Sequence, residues 1–327
     1  MATVLVTGGA GYVGSHACKA LKAAGHVPVV FDNFSTGWRG AVRYGPLAEG
    51  DLLDPAALDR VFAAHAIDAV MHFAALSYVG ESVRVPLAYW RNNLAGTLSL
   101  LEAMTRHGVG RIVFSSTCAT YGEPAGTVLT ETDAQAPINP YGQSKLAVER
   151  MLADTAAAHG GSHVIFRYFN AAGADPYREI GEQHVPETHL IPLVLDAVAG
   201  KRARITVFGT DYPTPDGTCI RDYIHVTDLA DAHVRGLEHL LAGGGSLALN
   251  LGSGSGHSVR AVIETAAAVT GLPVPAEDGP RRPGDPARLV SGSGLAEARL
   301  GWRPRRSDLR TMIEDAWAWH RTGGFEA

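Results

Sequence analysis

A tyrosine and a lysine one helical turn apart form a pair of side chains that could catalyse a reaction. Tyr141 and Lys145 follow Asn139-Pro140, and proline suits the first turn of a helix, so we expect both side chains on one helical face. An ammonium beside a phenol lowers the phenol's pKa and favours the phenolate, which is a general base. The pair predicts a site where a substrate hydroxyl loses its proton to tyrosine while its carbon gives a hydride to NAD. An ordinary solvated ion pair at this spacing is the alternative.

Three hydroxyl residues supply a partner for that tyrosine. Ser115-Ser116-Thr117 follow the apolar run Arg111–Ser115, which predicts a buried strand. Ligands of open α/β sheets bind at the carboxyl ends of the strands. We therefore expect Thr117 to bond the substrate hydroxyl and to share its proton with Tyr141.

A glycine loop at the start of the chain predicts the cofactor. Gly8, Gly11 and Gly14 follow the predicted strand Thr3–Thr7 and open a helix, and such a loop lets the backbone approach a pyrophosphate. Asp32 ends the next strand, and its carboxylate would accept hydrogen bonds from the adenosine ribose and repel a 2′-phosphate. NAD is therefore favoured, although the nearby Arg39 leaves NADP open, and a glycine turn without a ligand is the remaining alternative.

The elements that must position these residues alternate along the first half of the chain. Short apolar runs lie between segments of helical length, which is typical of a parallel sheet covered on both faces. The predicted strands are Val4–Val6, Val27–Phe31, Ala69–Phe73, Arg111–Ser115 and His163–Arg167, and the predicted helices are Gly14–Ala24, Pro55–His65 and Pro86–His107. The fold class predicted from this pattern is α/β, a Rossmann-type doubly wound parallel sheet.

Proline and glycine become frequent after about Asn170, which indicates a smaller α/β C-terminal lobe rich in loops. We divide the chain into a cofactor-binding domain at residues 1–170 and a substrate lobe at residues 171–327. A segment near 223–251 is expected to return to the first domain, because the apolar run Leu247–Leu251 resembles a further strand of its sheet.

Composition excludes several classes of function. The chain has 327 residues, with 28 Lys and Arg against 33 Asp and Glu, and a net charge of −5 gives no general attraction to nucleic acid or anionic lipid. Three widely spaced cysteines predict reduced thiols in a cytoplasmic protein without a metal site. No signal peptide and no membrane-spanning run is apparent.

The motifs together resemble the extended short-chain dehydrogenase/reductase superfamily and, within it, the UDP-glucose (UDP-galactose) 4-epimerase family. The resemblance extends over nearly the whole chain. The motifs that carry it are Val4–His16, Val79–Val83, Tyr141–Lys145, Arg167–Asn170, Asp216–Thr218, Arg221–Val226 and Arg281–Asp285.

The resemblance implies a set of residues for each ligand. Tyr141 would be the base, Thr117 its hydroxyl partner and Lys145 the cofactor-side cation. The residues expected to bind NAD are Gly8, Gly11, Tyr12, Val13, Gly14, Asp32, Asn33, Ser35, Thr36, Asp51, Leu52, Phe73, Ala74, Ala75, Leu76, Ser77, Asn92, Lys145, Tyr168 and Phe169. The residues expected to bind the UDP-sugar are Thr117, Tyr141, Asn170, His189, Leu190, Phe208, Arg221, Arg282, Asp285 and Leu289.

Three positions depart from the pattern of the family. Some members carry lysine where this chain has Ser77, and some carry asparagine where it has His189. Leu289 stands where residue size tunes the room around the sugar C2 substituent, and leucine is of intermediate size. Acceptance of N-acetylated sugars is therefore left open by the sequence.

The activity that the resemblance implies is an isomerase reaction. UDP-glucose and UDP-galactose would interconvert by transient oxidation at sugar C4, through a 4-keto sugar, with NAD regenerated in each turnover. The resemblance also implies a homodimer, with helices such as Pro86–His107 and Tyr141–Ala157 as candidate interface elements.

Other functions stay open on the sequence alone. A UDP-pentose (UDP-arabinose/UDP-xylose) 4-epimerase also matches the run Ser115–Gly122, and a dual-specificity UDP-hexose/UDP-N-acetylhexosamine enzyme depends on Leu289. Cys118-Ala119 after Thr117 argue against a dehydratase, which needs an acid–base pair there. A non-catalytic NAD-sensing protein is disfavoured by Tyr141 and Lys145.

Overall fold

Strands and helices alternate through the first half of the chain, as the sequence predicts. The structure is a computed structural model that describes residues 1–123, 128–282 and 285–326. The strands are β1 (Thr3–Thr7), β2 (Val27–Asp32), β3 (Leu47–Glu49), β4 (Ala69–His72), β5 (Arg111–Ser115), β6 (Ser162–Arg167), β7 (Asn170–Ala172), β8 (Ile205–Phe208), β9 (Ile220–Arg221), β10 (Tyr223–His225), β11 (Leu247–Asn250), β12 (His257–Ser258), β13 (Ala276–Gly279) and β14 (Arg288–Leu289). The helices are α1 (Tyr12–Ala23), α2 (Pro55–Ala64), α3 (Val79–Arg84), α4 (Pro86–Tyr89), α5 (Gly96–Arg106), α6 (Pro140–His159), α7 (Leu190–Val198), α8 (Val226–Leu241), α9 (Val259–Thr270), α10 (Gly294–Leu300) and α11 (Leu309–His320).

The central sheet is parallel and contains seven strands within the described ranges. Its order is β11-β6-β5-β4-β1-β2-β3, and every neighbouring pair runs parallel. Leu5 and Val6 of β1 are fully buried although they point to opposite faces, because helices cover both sides of the sheet. The predicted Rossmann-type fold class is confirmed.

Two apolar layers hold the helices against this sheet. Residues of α1 and α8 pack with one face, where Trp302 is also fully buried. Residues of α2, α5 and α6 pack with the other face. Burying one large aliphatic side chain contributes about 1.5–3 kcal/mol, so these layers fix the strand ends on which the site is built.

The segment predicted as one helix, Pro86–His107, is more complex than expected. It contains α4, a π-helical stretch at Trp90–Ala95 and then α5. Within the stretch, the Asn93 side chain accepts a hydrogen bond from Leu76 N at 2.8 Å and donates one to Leu76 O at 3.0 Å. These bonds to a distant loop accompany the local change of helical pitch, which the apolar periodicity of the segment does not reveal.

The C-terminal part of the chain forms a smaller layer beside the sheet. Helices α7, α9 and α11 share an apolar cluster with β8 and β10. A small sheet joins β12, β9 and β14. Strand β11 pairs with β6, with Leu247 opposite Val164, and it is the first strand in the order of the large sheet, at one edge. The division into domains at residue 170 remains a prediction.

The described residues contain no helix that is both long and apolar enough to cross a membrane.

Candidate functional site

The glycine loop lies where the carboxyl end of β1 meets the start of α1. Gly8 has a φ of +71°, and a Cβ there would lie 2.6 Å from Ala74 N. A Cβ on Gly14 would collide with the carbonyl oxygen of Gly8. Gly11 precedes α1 and offers no side chain to cap it. The loop therefore brings a helix N-terminus and bare backbone to one cleft, as an anionic phosphate group requires.

Asp32 ends β2 next to this loop. Its carboxylate accepts hydrogen bonds from Ala10 N at 2.9 Å and from Phe34 N at 2.8 Å, and the side chain is largely buried. Burial raises the pKa of Asp32, while these backbone donors oppose that rise. The guanidinium of Arg39 is engaged elsewhere, because it pairs with Glu49 at 2.7 Å and stacks over Phe34.

The predicted acid–base residues converge at the carboxyl end of β5. Thr117 lies just beyond β5, and its Oγ1 accepts a hydrogen bond from Ala119 N at 3.1 Å. Tyr141 and Lys145 lie in the first two turns of α6, whose start is capped by Asn139 Oδ1 accepting from Gly142 N at 2.9 Å. A sheet edge and a capped helix therefore place the three groups.

Burial controls the proton affinities of these groups. It raises the pKa of Tyr141 above the usual value of a phenol, and a hydrogen bond with Thr117 opposes that rise. Burial lowers the pKa of Lys145 to about 7. Lys145 Nζ donates a hydrogen bond to the Ser115 carbonyl oxygen at 2.8 Å and lies over the ring of Phe114.

The sequence predicted that Lys145 lowers the pKa of Tyr141. For the protein without bound ligands, this prediction is wrong. The physical reason is that both groups are buried, and burial disfavours their charged forms. The surroundings therefore favour the neutral form of each group.

A buried network stands behind the lysine. Glu149 lies one turn beyond Lys145 on α6, accepts a hydrogen bond from Ser116 Oγ at 2.5 Å and pairs with Arg167 at 2.6 Å. The charge of Glu149 partly opposes the lowering of the Lys145 pKa. This network ties α6, the helix that carries Lys145, to the ends of β5 and β6.

Tyr168 lies beyond the end of β6, beside the hydroxyl residues. Its phenol and Ser115 Oγ are 2.5 Å apart, and burial raises the pKa of Tyr168 to about 12. Phe169 and Asn170 follow it along the wall of the same cavity. Asn170 Nδ2 donates a hydrogen bond to the carbonyl oxygen of Asp222 at 2.9 Å, which links the end of the large sheet to the C-terminal strands.

The opposite wall is built from short strands and loops. Arg221 on β9 forms an ion pair with Asp285 and donates a hydrogen bond to Pro286 O at 2.9 Å. Leu289 on β14 lies beside Arg221 in the strand pairing. In the motif Arg281–Asp285, the residues Pro283 and Gly284 lie outside the described part of the chain.

Phe208 was expected to offer a face to a base, and the structure occupies one of its faces. The guanidinium carbon of Arg282 lies 4.0 Å from the centre of the Phe208 ring. A flat ligand at this face of Phe208 would therefore meet the stacked arginine.

The two walls enclose one cavity of about 1290 Å³. Every residue that the sequence analysis assigned to cofactor or substrate lines it. A volume of this size exceeds the usual range of about 300–1,000 Å³ for a drug-sized ligand, and it has room for two large ones.

Sequence reasoning missed part of this lining. Tyr78, Glu182, His184 and Glu187 also line the cavity, beside the expected His189. Two glutamates and two histidines within eight residues were a visible signal, since this mixture is typical of metal ligands. The three widely spaced cysteines had instead predicted a protein without a metal site.

Comparison with known proteins identifies the family. The profile of the NAD dependent epimerase/dehydratase family matches residues 4–252. A UDP-glucose 4-epimerase of Rhizobium leguminosarum bv. trifolii is 54% identical over 318 residues, which cover 97% of each chain.

Solved structures are similar over almost the same span. The UDP-glucose 4-epimerase of Brucella ovis in complex with NAD is 52% identical, covers 97% of this chain and 98% of its own, and gives a TM-score of 0.96. A UDP-glucose-4-epimerase of Stenotrophomonas maltophila with bound NAD and formylated UDP-arabinopyranose is 42% identical, covers 99% of each chain and gives a TM-score of 0.95. The resemblance predicted from the sequence is confirmed, and the chain belongs to the NAD dependent epimerase/dehydratase family.

Proposed function

We propose that this protein is a UDP-glucose 4-epimerase, an isomerase that interconverts UDP-glucose and UDP-galactose with NAD as its cofactor. One observation carries the proposal. A single cavity holds the glycine loop, the Thr117, Tyr141 and Lys145 group, and the wall with Arg221 and Asp285. The relatives that are about half identical over nearly the whole chain are UDP-glucose 4-epimerases, which supports the same function.

NAD fits the first wall. The glycine loop leaves a cradle that a Cβ at Gly8 or Gly14 would fill, and the N-terminus of α1 suits the pyrophosphate. Asp32 can accept further hydrogen bonds at its carboxylate, as the adenosine ribose would supply. We assign the other cofactor contacts to the lining residues expected from the resemblance, with Asp51 and Leu52 beside the adenine.

The chemistry of the site divides between the cofactor and the side chains. Bound NAD would supply the hydride acceptor and donor for sugar C4, and its positive charge would favour the phenolate form of Tyr141. Tyr141 accepts the proton of the 4-hydroxyl and gives it back to the same oxygen. The Thr117 hydroxyl hydrogen-bonds both to that oxygen and to Tyr141, so the proton moves only a short distance between them. Lys145, whose Nζ donates a hydrogen bond to Ser115 O, would also hold the cofactor ribose.

The second wall holds the UDP group. Arg221 offers a forked set of donors for a diphosphate, and Asp285 keeps it oriented. His189 and Leu190 stand at the start of α7, and Asn170 borders the space for the sugar. A substrate anchored through its UDP group leaves the sugar ring free to present either face to the hydride, as inversion at C4 requires.

The other reactions considered are less well supported. A UDP-pentose 4-epimerase and a dual-specificity enzyme would use the same catalytic residues, and Leu289 in the lining is the residue on which the C2 substituent depends. The names of the relatives favour the UDP-hexose reaction. A protein that only senses NAD has no need for Tyr141 and Lys145 together in this cavity.

We also propose the chain's assembly and location. A homodimer is supported by apolar side chains exposed on the helices that precede β5, including Val83, Leu87 and Leu98. A cytoplasmic location is supported by Cys18, Cys118 and Cys219, all three of which are buried free thiols.

The decisive assay supplies purified protein with UDP-galactose and follows the product by NMR. We expect conversion to UDP-glucose until the two sugars reach equilibrium, without added NAD, because the cofactor is regenerated within each turnover. UDP-N-acetylhexosamines and UDP-pentoses are tested in parallel. Conversion of a UDP-pentose but not of UDP-galactose would replace the proposed substrate, and no conversion of any UDP-sugar would remove the proposed function.

A further inference from the structure

The loop that leads into α7 carries two glutamates and two histidines whose polar atoms converge. Glu182, His184, Glu187 and His189 each offer one ligand atom, and these atoms all lie within 4.8 Å of one another. The four residues are spread over only eight positions of the chain. A short loop that turns four such side chains inward has the composition of a metal site rather than of a solvated surface.

The distances between these atoms suit a small tetrahedral site. His189 Nδ1 lies 2.9 Å from Glu182 Oε1 and 3.0 Å from Glu187 Oε1. His184 Nδ1 lies 3.2 Å from Glu182 Oε1 and 3.6 Å from the other oxygen of Glu187, Oε2. A tetrahedral ion with bonds of about 2 Å separates its ligands by about 3.3 Å. The observed nitrogen–oxygen distances lie on both sides of that value.

One atom of the cluster lacks the hydrogen bond that a simple ion pair would give it. His184 Nδ1 is buried and makes no hydrogen bond, although Glu182 Oε1 is 3.2 Å away. A protonated imidazole that served only as an ion-pair partner would direct its N–H at that oxygen. His184 Nδ1 therefore lies within 3.6 Å of both carboxylates without a hydrogen bond to either, which leaves it available as a ligand.

The surroundings hold the ligand groups in fixed positions. Glu187 Oε1 accepts hydrogen bonds from Thr188 N at 2.7 Å and His189 N at 2.8 Å. The ring of His184 meets the edges of Tyr12 and Tyr78. Groups of this kind orient metal ligands in known sites. The side chains of Glu182 and Glu187 are only 7% and 12% exposed, so their charges need a cation close by.

We propose that Glu182, His184, Glu187 and His189 bind one zinc ion, and that the ion fastens the loop before α7 against Tyr12 of the glycine loop. With both imidazoles in the neutral form that a metal ligand needs, the four side chains would carry a net charge of −2, which a divalent cation balances. Imidazole nitrogen favours zinc over magnesium or calcium, which prefer oxygen ligands alone. The proposed role of the ion is structural, and it does not depend on the sugar that the protein converts.

The test measures metal retained by the full chain. Protein treated with a chelator receives excess zinc sulfate, is desalted and is analysed for bound metal. We expect about one zinc ion per chain in the wild type and nearly none in His184→Gln or Glu187→Gln. The matched control is His159→Gln, an exposed histidine at the end of α6, which should retain zinc as the wild type does.

Two further measurements keep the outcome clear if a variant is unstable. Wild-type protein loaded with cobalt(II) should show the visible absorption of a four-coordinate ion, and zinc should raise its melting temperature while magnesium does not. The proposal is overturned if the wild type retains no zinc, if His184→Gln retains as much as the wild type, or if magnesium is retained in preference. None of these readouts uses turnover, so they are independent of the proposed epimerase activity.

Discussion

The two walls of the cavity are held together in different ways. On the first wall, Thr117 and Lys145 are 6% and 4% exposed and are fixed by the edge of a seven-stranded sheet and a capped helix. On the second wall, Arg221 and Asp285 lie on short strands and loops and hold each other by an ion pair. The first arrangement fixes atoms to the accuracy that proton and hydride transfer need. The second can bind a flexible diphosphate with less rigid support.

The comparison predicts that changes on the first wall reduce kcat and changes on the second raise KM. The largest effect is expected for Tyr141→Phe. Loss of the phenol removes the general base, so turnover of UDP-galactose should fall about 10²- to 10⁴-fold. Bound NAD, measured after denaturing the purified protein, should be unchanged.

The matched control for this variant is Tyr177→Phe. Tyr177 is 79% exposed and does not line the cavity, so its kcat should equal that of the wild type. Near-normal turnover in Tyr141→Phe would show that another group is the base.

The next effect is expected on the second wall, with Arg221→Gln. The substitution removes a charged fork that a diphosphate would share with Asp285. A hydrogen bond to a charged group contributes about 1.5–3 kcal/mol, so KM for UDP-galactose should rise about 10- to 100-fold while kcat changes little. Steady-state kinetics measure both constants. A fall in kcat at unchanged KM would mean that Arg221 acts on the reaction itself, and the contrast between the walls would fail.

The first wall was the easier one to predict, because its residues follow long elements with clear periodicity. Gly8, Asp32 and Thr117 each stand at the end of an apolar run that becomes a strand of the sheet. Parallel strands bring those ends to one edge, so sequence order alone indicates that the residues meet.

The second wall could not be derived in this way. Strands β9 and β14 have two residues each, and Leu289 lies beside Arg221 only through their pairing. Such pairs have no local period, so these residues were recognised only through the resemblance to a family. The stacking of Arg282 on Phe208 and the π-helical stretch at Trp90–Ala95 are likewise set by tertiary contacts.

The proton affinity of Lys145 gives a test of how deeply the first wall is buried. Its pKa is about 7 in the folded protein and about 10.5 when unfolded, so between these values the unfolded chain holds the extra proton. Raising the pH through this window therefore favours the folded state, by up to about 1.4 kcal/mol per pH unit.

Urea unfolding of NAD-free protein from pH 6 to pH 9 measures this slope. In Lys145→Met the rise in stability above pH 7 should be absent, whereas the exposed Lys22→Met should follow the wild type. Parallel curves for the wild type and Lys145→Met would show that the lysine is hydrated in the folded protein.

The smallest effect is expected for Arg282→Gln. This variant tests whether substrate binding at the second wall depends on ion pairs or on the aromatic contact with Phe208. Arg282 is exposed and lies over Phe208, and a contact of this kind contributes about 0.5–1 kcal/mol, so KM should rise about two- to fivefold. Arg281 is the matched control, since it stacks in the same way on Tyr212 but lies outside the cavity lining. If Arg281→Gln raises KM as much as Arg282→Gln does, the rise reflects the loss of any nearby positive charge and not a specific contact of Arg282. If Arg282→Gln raises KM as much as Arg221→Gln does, the stacked arginine is a main anchor of the diphosphate, because a change that large exceeds what its contact with Phe208 supplies.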